Sequence, residues 1–92
     1  MTYQVVYSKK AIKGLKKIDK QAASIIVAWI EKNLIDTDNP RKTGKDLKGN
    51  LAKYWRYRVG DYRIIVEIED ERLVITCVEI AHRKQVYKRY GK

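Results

Sequence analysis

Phenylalanine is absent from this chain of 92 residues, and cysteine, histidine and proline each occur once. A single cysteine cannot close an intrachain disulfide, which excludes the stapled frameworks of small secreted domains. One Cys with one His also falls short of the usual four-ligand zinc patterns, so no metal or other cofactor is expected. Long apolar runs are missing too. The longest is Ile25 to Ile30, whereas a bilayer-spanning helix needs about 20 apolar residues. Met1-Thr2-Tyr3-Gln4 has neither the basic nor the apolar region of a signal peptide. The expectation is a cytoplasmic protein with no membrane association. Gly-rich phosphate loops, Ser/His/Asp nucleophile arrangements, repeats and low-complexity tracts do not occur either. Residues 1–92 read as one domain.

Acidic residues are also scarce. Eleven Asp/Glu stand against 21 Lys/Arg, giving a formal net charge of +10. Residues 1–40 hold seven basic and four acidic side chains, and residues 41–92 hold fourteen and seven. The excess is therefore concentrated in the second half. Domains of this kind bind nucleic acid or an acidic protein partner. What the chain does have is 45% apolar residues, seven Tyr and two Trp, enough for one modest core without crosslinks. Cys77 lies in an apolar run, so a buried, reduced, structural thiol is expected.

The most informative stretch runs from Trp55 to Val66, with two β-rich segments flanking Gly60-Asp61. Gly at the first loop position accepts the positive φ of a type II′ hairpin turn. That turn pairs Val59 with Tyr62, Arg58 with Arg63, Tyr57 with Ile64 and Arg56 with Ile65. Alternation then puts Trp55, Tyr57, Val59, Tyr62, Ile64 and Val66 on one face, and Arg56, Arg58 and Arg63 on the other. Like charges directly opposite each other cost roughly 0.2–1 kcal/mol per pair. Three guanidinium groups on a rigid sheet suit closely spaced phosphates.

Upstream, Tyr3–Tyr7 reads as a strand. Ser8 and Asp19 are candidate N-caps for two amphipathic helices. The first carries Ala11, Ile12, Leu15 and Ile18. The second carries Ala22, Ile25, Ile26, Trp29, Ile30 and Leu34, and stops before Asn39-Pro40. Residues 36–53 form a polar connection anchored by Leu47 and Leu51. Strands are expected near 54–59, 62–69 and 72–80, with Asp70-Glu71 as a second two-residue loop. That loop pairs Ile68 with Leu73, Val66 with Ile75 and Ile64 with Cys77. It places Ile80 and His82 on the arginine face. The fold class is α+β with order β-α-α-β-β-β: a helical hairpin on one face of a small, mainly antiparallel sheet. The other face is too apolar to stand bare, and either the C-terminal segment from Arg83 to Tyr90 or a partner covers it.

His82-Arg83-Lys84-Gln85-Val86-Tyr87 is the second constellation. Cutting RNA with its own 2′-hydroxyl needs a base for that proton, a donor for the departing 5′-oxygen, and cations for the phosphorane. An imidazole can both accept and donate a proton, so His82 suits either proton role. A phenol such as Tyr87 becomes a base only where guanidinium groups favour its phenolate. Tyr54, Tyr87 and Tyr90 are candidates for stacking on bases.

With these residues in view, the chain resembles the RelE/ParE toxin superfamily, specifically its RelE-like, ribosome-dependent mRNA endonuclease branch. The resemblance spans nearly the whole length. It rests on the element order, on Leu47-Lys48-Gly49, on Tyr54-Trp55-Arg56-Tyr57-Arg58, on Gly60-Asp61-Tyr62-Arg63-Ile64-Ile65, and on His82-Arg83…Val86-Tyr87. The basic pair on the second strand is arginine here, where the best-known members carry lysine.

The resemblance implies the RelE-like microbial RNase fold and a toxin of a type II toxin–antitoxin system. Its activity would be cutting mRNA in the ribosomal A site without a metal, with Arg63, His82, Arg83 and Tyr87 at the reaction centre. Arg56, Arg58, Lys48 and Lys84 would hold phosphates. A cognate antitoxin with an acidic segment would neutralise it in a hetero-oligomer. Two alternatives remain: a ParE-like DNA gyrase inhibitor, and a non-catalytic RNA- or ribosome-binding module.

Overall fold

The computed structural model describes residues 1–91. Among them, strand β1 (Gln4–Tyr7) leads into helices α1 (Lys9–Lys17) and α2 (Lys20–Asn33). A short strand β2 (Lys45–Asp46) and a 3₁₀ turn at Gly49–Leu51 follow. The chain continues as β3 (Tyr54–Val59), β4 (Tyr62–Glu69), β5 (Val74–His82) and helix α3 (Arg83–Tyr90). The sheet order is β1-β5-β4-β3-β2. β1 runs parallel to β5, and the other neighbours are antiparallel. This is the expected α+β class, with a pairing strand inside the 36–53 connection and a terminal helix in addition.

Local signals explain the first half. The Ser8 hydroxyl accepts from Ala11 N at 3.0 Å and donates to the Val78 carbonyl at 2.8 Å. One side chain thus caps α1 and ties it to β5. Asp19 caps α2 through Ala22 N. α1 lies so close to β5 that a Cβ on Gly14 would collide with the Ile80 carbonyl oxygen. The apolar faces of α1 and α2 cover one side of the sheet. Ala11, Ile26, Ile30, Leu34, Tyr57, Ile64, Val66, Ile75, Cys77 and Ile80 form that core. Burial pushes the Cys77 thiol up to about 12, consistent with a structural role. Ile25 departs from its expected stripe. It is 55% exposed, at the rim of a small groove beside Val59 and Tyr62.

The β3–β4 hairpin has the expected register throughout, including Arg58 opposite Arg63 and Arg56 opposite Ile65. Gly60 takes φ +59°, and Asp61 is not among the residues with positive φ. The type II′ turn requires that combination.

The β4–β5 connection differs from expectation. It spans Asp70 to Leu73, and Ile68 pairs with Ile75 and Val66 with Cys77. Arg72 and Leu73 belong to the turn. Leu73 adopts φ +55°, packs on the helix-side core and accepts from Gln4 N at 2.8 Å. A β-bulge follows between Ile65 and Val66, leaving Val78 without a partner in the ladder. Beyond it, β5 reverses its facing. Ile80 enters the helix-side core, and Glu79 and Ala81 turn to the opposite face. The expected placement of Ile80 and His82 on the arginine face is therefore corrected, because no uninterrupted alternation reaches them.

α3 covers that opposite face. Val86, fully buried, joins Leu47, Ile65 and Ala81 in a second core flanked by Leu51, Tyr54, Val78 and Tyr90. Gly14→Ala should lower stability by about 1–3 kcal/mol in urea denaturation, because α1 must lift from β5 to admit the methyl group. A neutral result would show that the α1–β5 contact is loose.

Candidate nucleic-acid interface

Four residues between Arg83 and Lys88 share one face of α3. Lys84 and Lys88 are four apart, and Tyr87 follows Lys84 by three and Arg83 by four, spacings that place side chains over one another. Val86 and Tyr90 take the opposite face into the second core. The helix therefore presents cations and a phenol toward the arginines of β3 and β4. Together Arg56, Arg58, Arg63, Arg83, Lys84, Tyr87 and Lys88 line an open cleft of about 540 Å³.

Each arginine is held differently. Arg63 is only 6% exposed, and its Nη1 donates to the carbonyls of Gly60 and Tyr62, both at 3.0 Å. The hairpin turn thus fixes its guanidinium. Burial first, and then Arg58, Arg56 and Arg83, lower its pKa from the ordinary arginine value; Asp61 opposes them. Arg56 is half-buried and is lowered by burial and by Arg58. Its Nε is buried without a hydrogen-bond acceptor. Arg58 is exposed at the cleft wall. Arg83 stands at the start of α3, where its backbone N donates to the Asp61 carbonyl at 2.8 Å and its Nε lies 3.9 Å from the Asp61 carboxylate. The Gly60–Asp61 turn thereby orients Arg63 and pins Arg83.

The expected site residues separate into two groups. Arg56, Arg58, Arg63, Arg83, Lys84 and Tyr87 come together. His82 and Lys48 do not line the cleft. His82 follows the reversed facing of β5, lies opposite Tyr62, and packs edge-on against that ring at 5.6 Å. Its Nδ1 accepts from Lys84 N at 3.2 Å, which makes it the N-cap of α3. Lys48 is exposed before the 3₁₀ turn. Of the tyrosines with stacking potential, Tyr54 and Tyr90 pack on each other at 6.0 Å, and Tyr87 is 66% exposed. Sequence reasoning missed Lys88, which its spacing from Lys84 marks once the terminal segment is known to be helical. Among the described residues, no group of three or more His, Cys, Asp or Glu side chains is placed to hold a metal ion.

Fold and cleft together define a small α+β domain that displays a preformed, strongly cationic cleft. The model of the family described as "ParE toxin of type II toxin-antitoxin system, parDE" matches residues 5–87. The chain belongs to this family, within the RelE/ParE superfamily, and is a toxin of a type II toxin–antitoxin system. It is similar to toxin RelG of Mycobacterium tuberculosis, with 28% identity over 89 residues, 97% of this chain and 100% of the relative. The toxin–antitoxin complex RelBE2 of the same organism has a TM-score of 0.81 at 26% identity, covering 90% of this chain and 93% of that one. A free-state mutant of Escherichia coli RelE covers 99% and 96% with a TM-score of 0.75. At 18% identity that last likeness bears on the fold alone.

The facing of Arg58 and Arg63 yields a stability prediction. Arg58→Gln should raise stability by about 0.2–1 kcal/mol at low ionic strength. The gain should shrink toward zero near 1 M salt, where the Debye length is about 3 Å. Urea denaturation at the two salt concentrations measures both. A loss of stability at low salt would show that Arg58 makes a contact more favourable than the repulsion it suffers.

Proposed function

We propose that this toxin is a ribosome-dependent endoribonuclease that cuts mRNA in the ribosomal A site and so stops translation. The observation that carries the reading is the cleft, in which six cationic side chains surround one phenol. In the reaction, the 2′-oxygen attacks the adjacent phosphorus while the bond to the 5′-oxygen breaks. The 2′-hydroxyl loses a proton and the departing 5′-oxygen gains one. The products are a 2′,3′-cyclic phosphate and a 5′-hydroxyl. Charge accumulates on the non-bridging oxygens of the phosphorane, and Arg56, Arg58 and Arg63 meet it from the sheet while Arg83 meets it from α3. These guanidinium groups stay protonated, so they stabilise charge without exchanging protons. Tyr87, exposed and flanked by Arg83, Lys84 and Lys88, is assigned to proton exchange. His82 is left with its capping role.

Positioning of the substrate falls to the ribosome. The cleft is open and offers charge without a pocket shaped to one base, so naked RNA should be cut poorly. An antitoxin partner is part of this proposal, with an acidic segment that meets the +10 chain and neutralises it in a hetero-oligomer. The toxin–antitoxin complex RelBE2 among its structural relatives supports that expectation. The site of action is the cytoplasm, where translation occurs. A second reading, inhibition of DNA gyrase, draws its support from the ParE description of the matching family.

Single-turnover cleavage of mRNA on programmed ribosomes, in EDTA, tests the assignment. Arg63→Ala should lose roughly 10²–10³-fold, as removed electrostatic stabilisers do. Tyr87→Phe should lose roughly 10²–10⁴-fold, the contribution of a positioned acid or base. His82→Ala should stay within about tenfold of wild type, the cost of a weakened cap being about 1 kcal/mol. If no form of the protein cuts, and supercoiling by gyrase is blocked instead, the nuclease reading fails.

A further inference from the structure

Glu79 is the one charged residue of the described chain, apart from Arg63, whose side chain is buried, at 2% exposure. It lies in the second half of β5, paired with Ile65 just past the bulge. Unbroken alternation from Cys77 through Val78 would turn Glu79 into the apolar helix-side core. The bulge turns it toward α3 instead. There its Oε1 lies 3.3 Å from Lys10 Nζ of α1 and accepts the Tyr90 hydroxyl at 2.9 Å. Its Oε2 pairs with the Arg89 guanidinium. Two of these three partners belong to the last two residues of α3.

That helix needs a fastening. Its eight residues carry Arg83, Lys84, Lys88 and Arg89, and three of the four face Arg56, Arg58 and Arg63 across the cleft. Repulsion therefore pushes α3 away from the sheet. It is opposed by burial of Val86, by the Tyr90–Tyr54 contact, by the Asp61–Arg83 link, and by Glu79. Glu79 is the one anion among these that is shielded from solvent. A buried charge attracts its partners through a lower effective dielectric than Asp61 does at the surface. It also sits at the far end of the helix from Asp61, so the two carboxylates fix opposite ends.

We propose that Glu79 is the positioning residue of the cleft: a buried carboxylate latch that ties Arg89 and Tyr90 to β5 and thereby holds Lys84, Tyr87 and Lys88 opposite the arginines. Its effect on cleavage rests on the nuclease reading above; its effect on α3 does not. Lys10 and Arg89 are about half exposed, with side-chain exposures of 56% and 50%. In Glu79→Gln both cations can turn to water, so the isosteric change leaves the packing of the two cores in place.

The test combines backbone hydrogen exchange with single-turnover cleavage on ribosomes. In Glu79→Gln and in Arg89→Gln, amides of α3 should exchange at least about tenfold faster than in wild type, while those of β4 stay unchanged, as expected for a locally released element. The maximal cleavage rate should fall by roughly 10²-fold, the cost of a small misplacement of reacting groups. The ribosome concentration giving half-maximal rate should move far less. Adding Arg58→Gln to Glu79→Gln removes part of the repulsion and should restore slow exchange in α3. A merely structural carboxylate would gain nothing from that distant change. Unchanged α3 exchange in both single variants overturns the proposal, as does equal loss of protection in α3 and β4. Should Glu79→Gln fail to fold, Arg89→Gln, which alters only a half-exposed side chain, decides it. If wild type cuts no mRNA, the nuclease reading fails, and the exchange measurements still decide whether Glu79 is the latch.

Discussion

Arg58 stands directly across from Arg63, with Arg56 two residues along β3 and Arg83 over the strand end. Charges this close are inside the Debye length of about 8 Å at physiological salt, so solvent ions screen them only in part. The lowered pKa values of Arg56 and Arg63 have the same two causes, burial and neighbouring guanidinium charge. A sheet that bears this repulsion must be stabilised elsewhere. Here the stabilisation comes from burying β4 on both sides. Ile64, Ile65 and Val66 are consecutive and all fully buried, which one covered face could not produce, because successive side chains point in opposite directions. α1 and α2 cover the first face, and α3 covers the second. The helix that completes the cleft is thus also the helix that closes the second core.

The Gly60–Asp61 turn connects these two roles. It fixes the register that sets Arg58 against Arg63, its Gly60 carbonyl accepts from Arg63, and its aspartate receives both the backbone and the side chain of Arg83. A shift of one residue in that register would turn the arginines of the slipped strand toward the helix-side core. The geometry of the cleft therefore depends on one tight turn more than on any contact inside the cleft itself.

That dependence explains what could be read from the sequence. The register of β3 and β4 was legible because a two-residue loop starting with glycine leaves few alternatives, and alternation then sorted Arg56, Arg58 and Arg63 from Tyr57, Ile64 and Val66. Ser8 and Asp19 were legible as caps for the same kind of local reason. The bulge was not. Ile65 and Val66 are both apolar, and so are Val78 and Ile80, so the one mark of a change in parity is Glu79, which unbroken alternation would put in the helix-side core. From that one omission came the misplacement of Ile80 and His82, and the neglect of Glu79, which reads as a solvated strand residue when taken alone. α3 was legible only as a covering segment. Its apolar content is Val86 with Tyr87 and Tyr90, too little for helical periodicity to show, and its position comes from tertiary contacts, as is common for short helices.

A cationic cleft of this kind stores electrostatic energy that a bound polyanion would release. The buried Arg56 Nε has no acceptor, and Arg63 spends only one terminal nitrogen on backbone carbonyls. Both retain donors for a charge-assisted contact, and a bidentate guanidinium–phosphate pair adds orientation to strength. Because these side chains are already held by the turn and by burial, little conformational entropy remains to be lost when an anion enters. Binding would then relieve the repulsion that the cleft bears, and by linkage would stabilise the folded toxin. An acidic peptide and a nucleic-acid strand offer the same relief at the same cations. Competition between such ligands consequently needs no rearrangement of the fold: whichever anion neutralises the arginines first removes most of the driving force for the other.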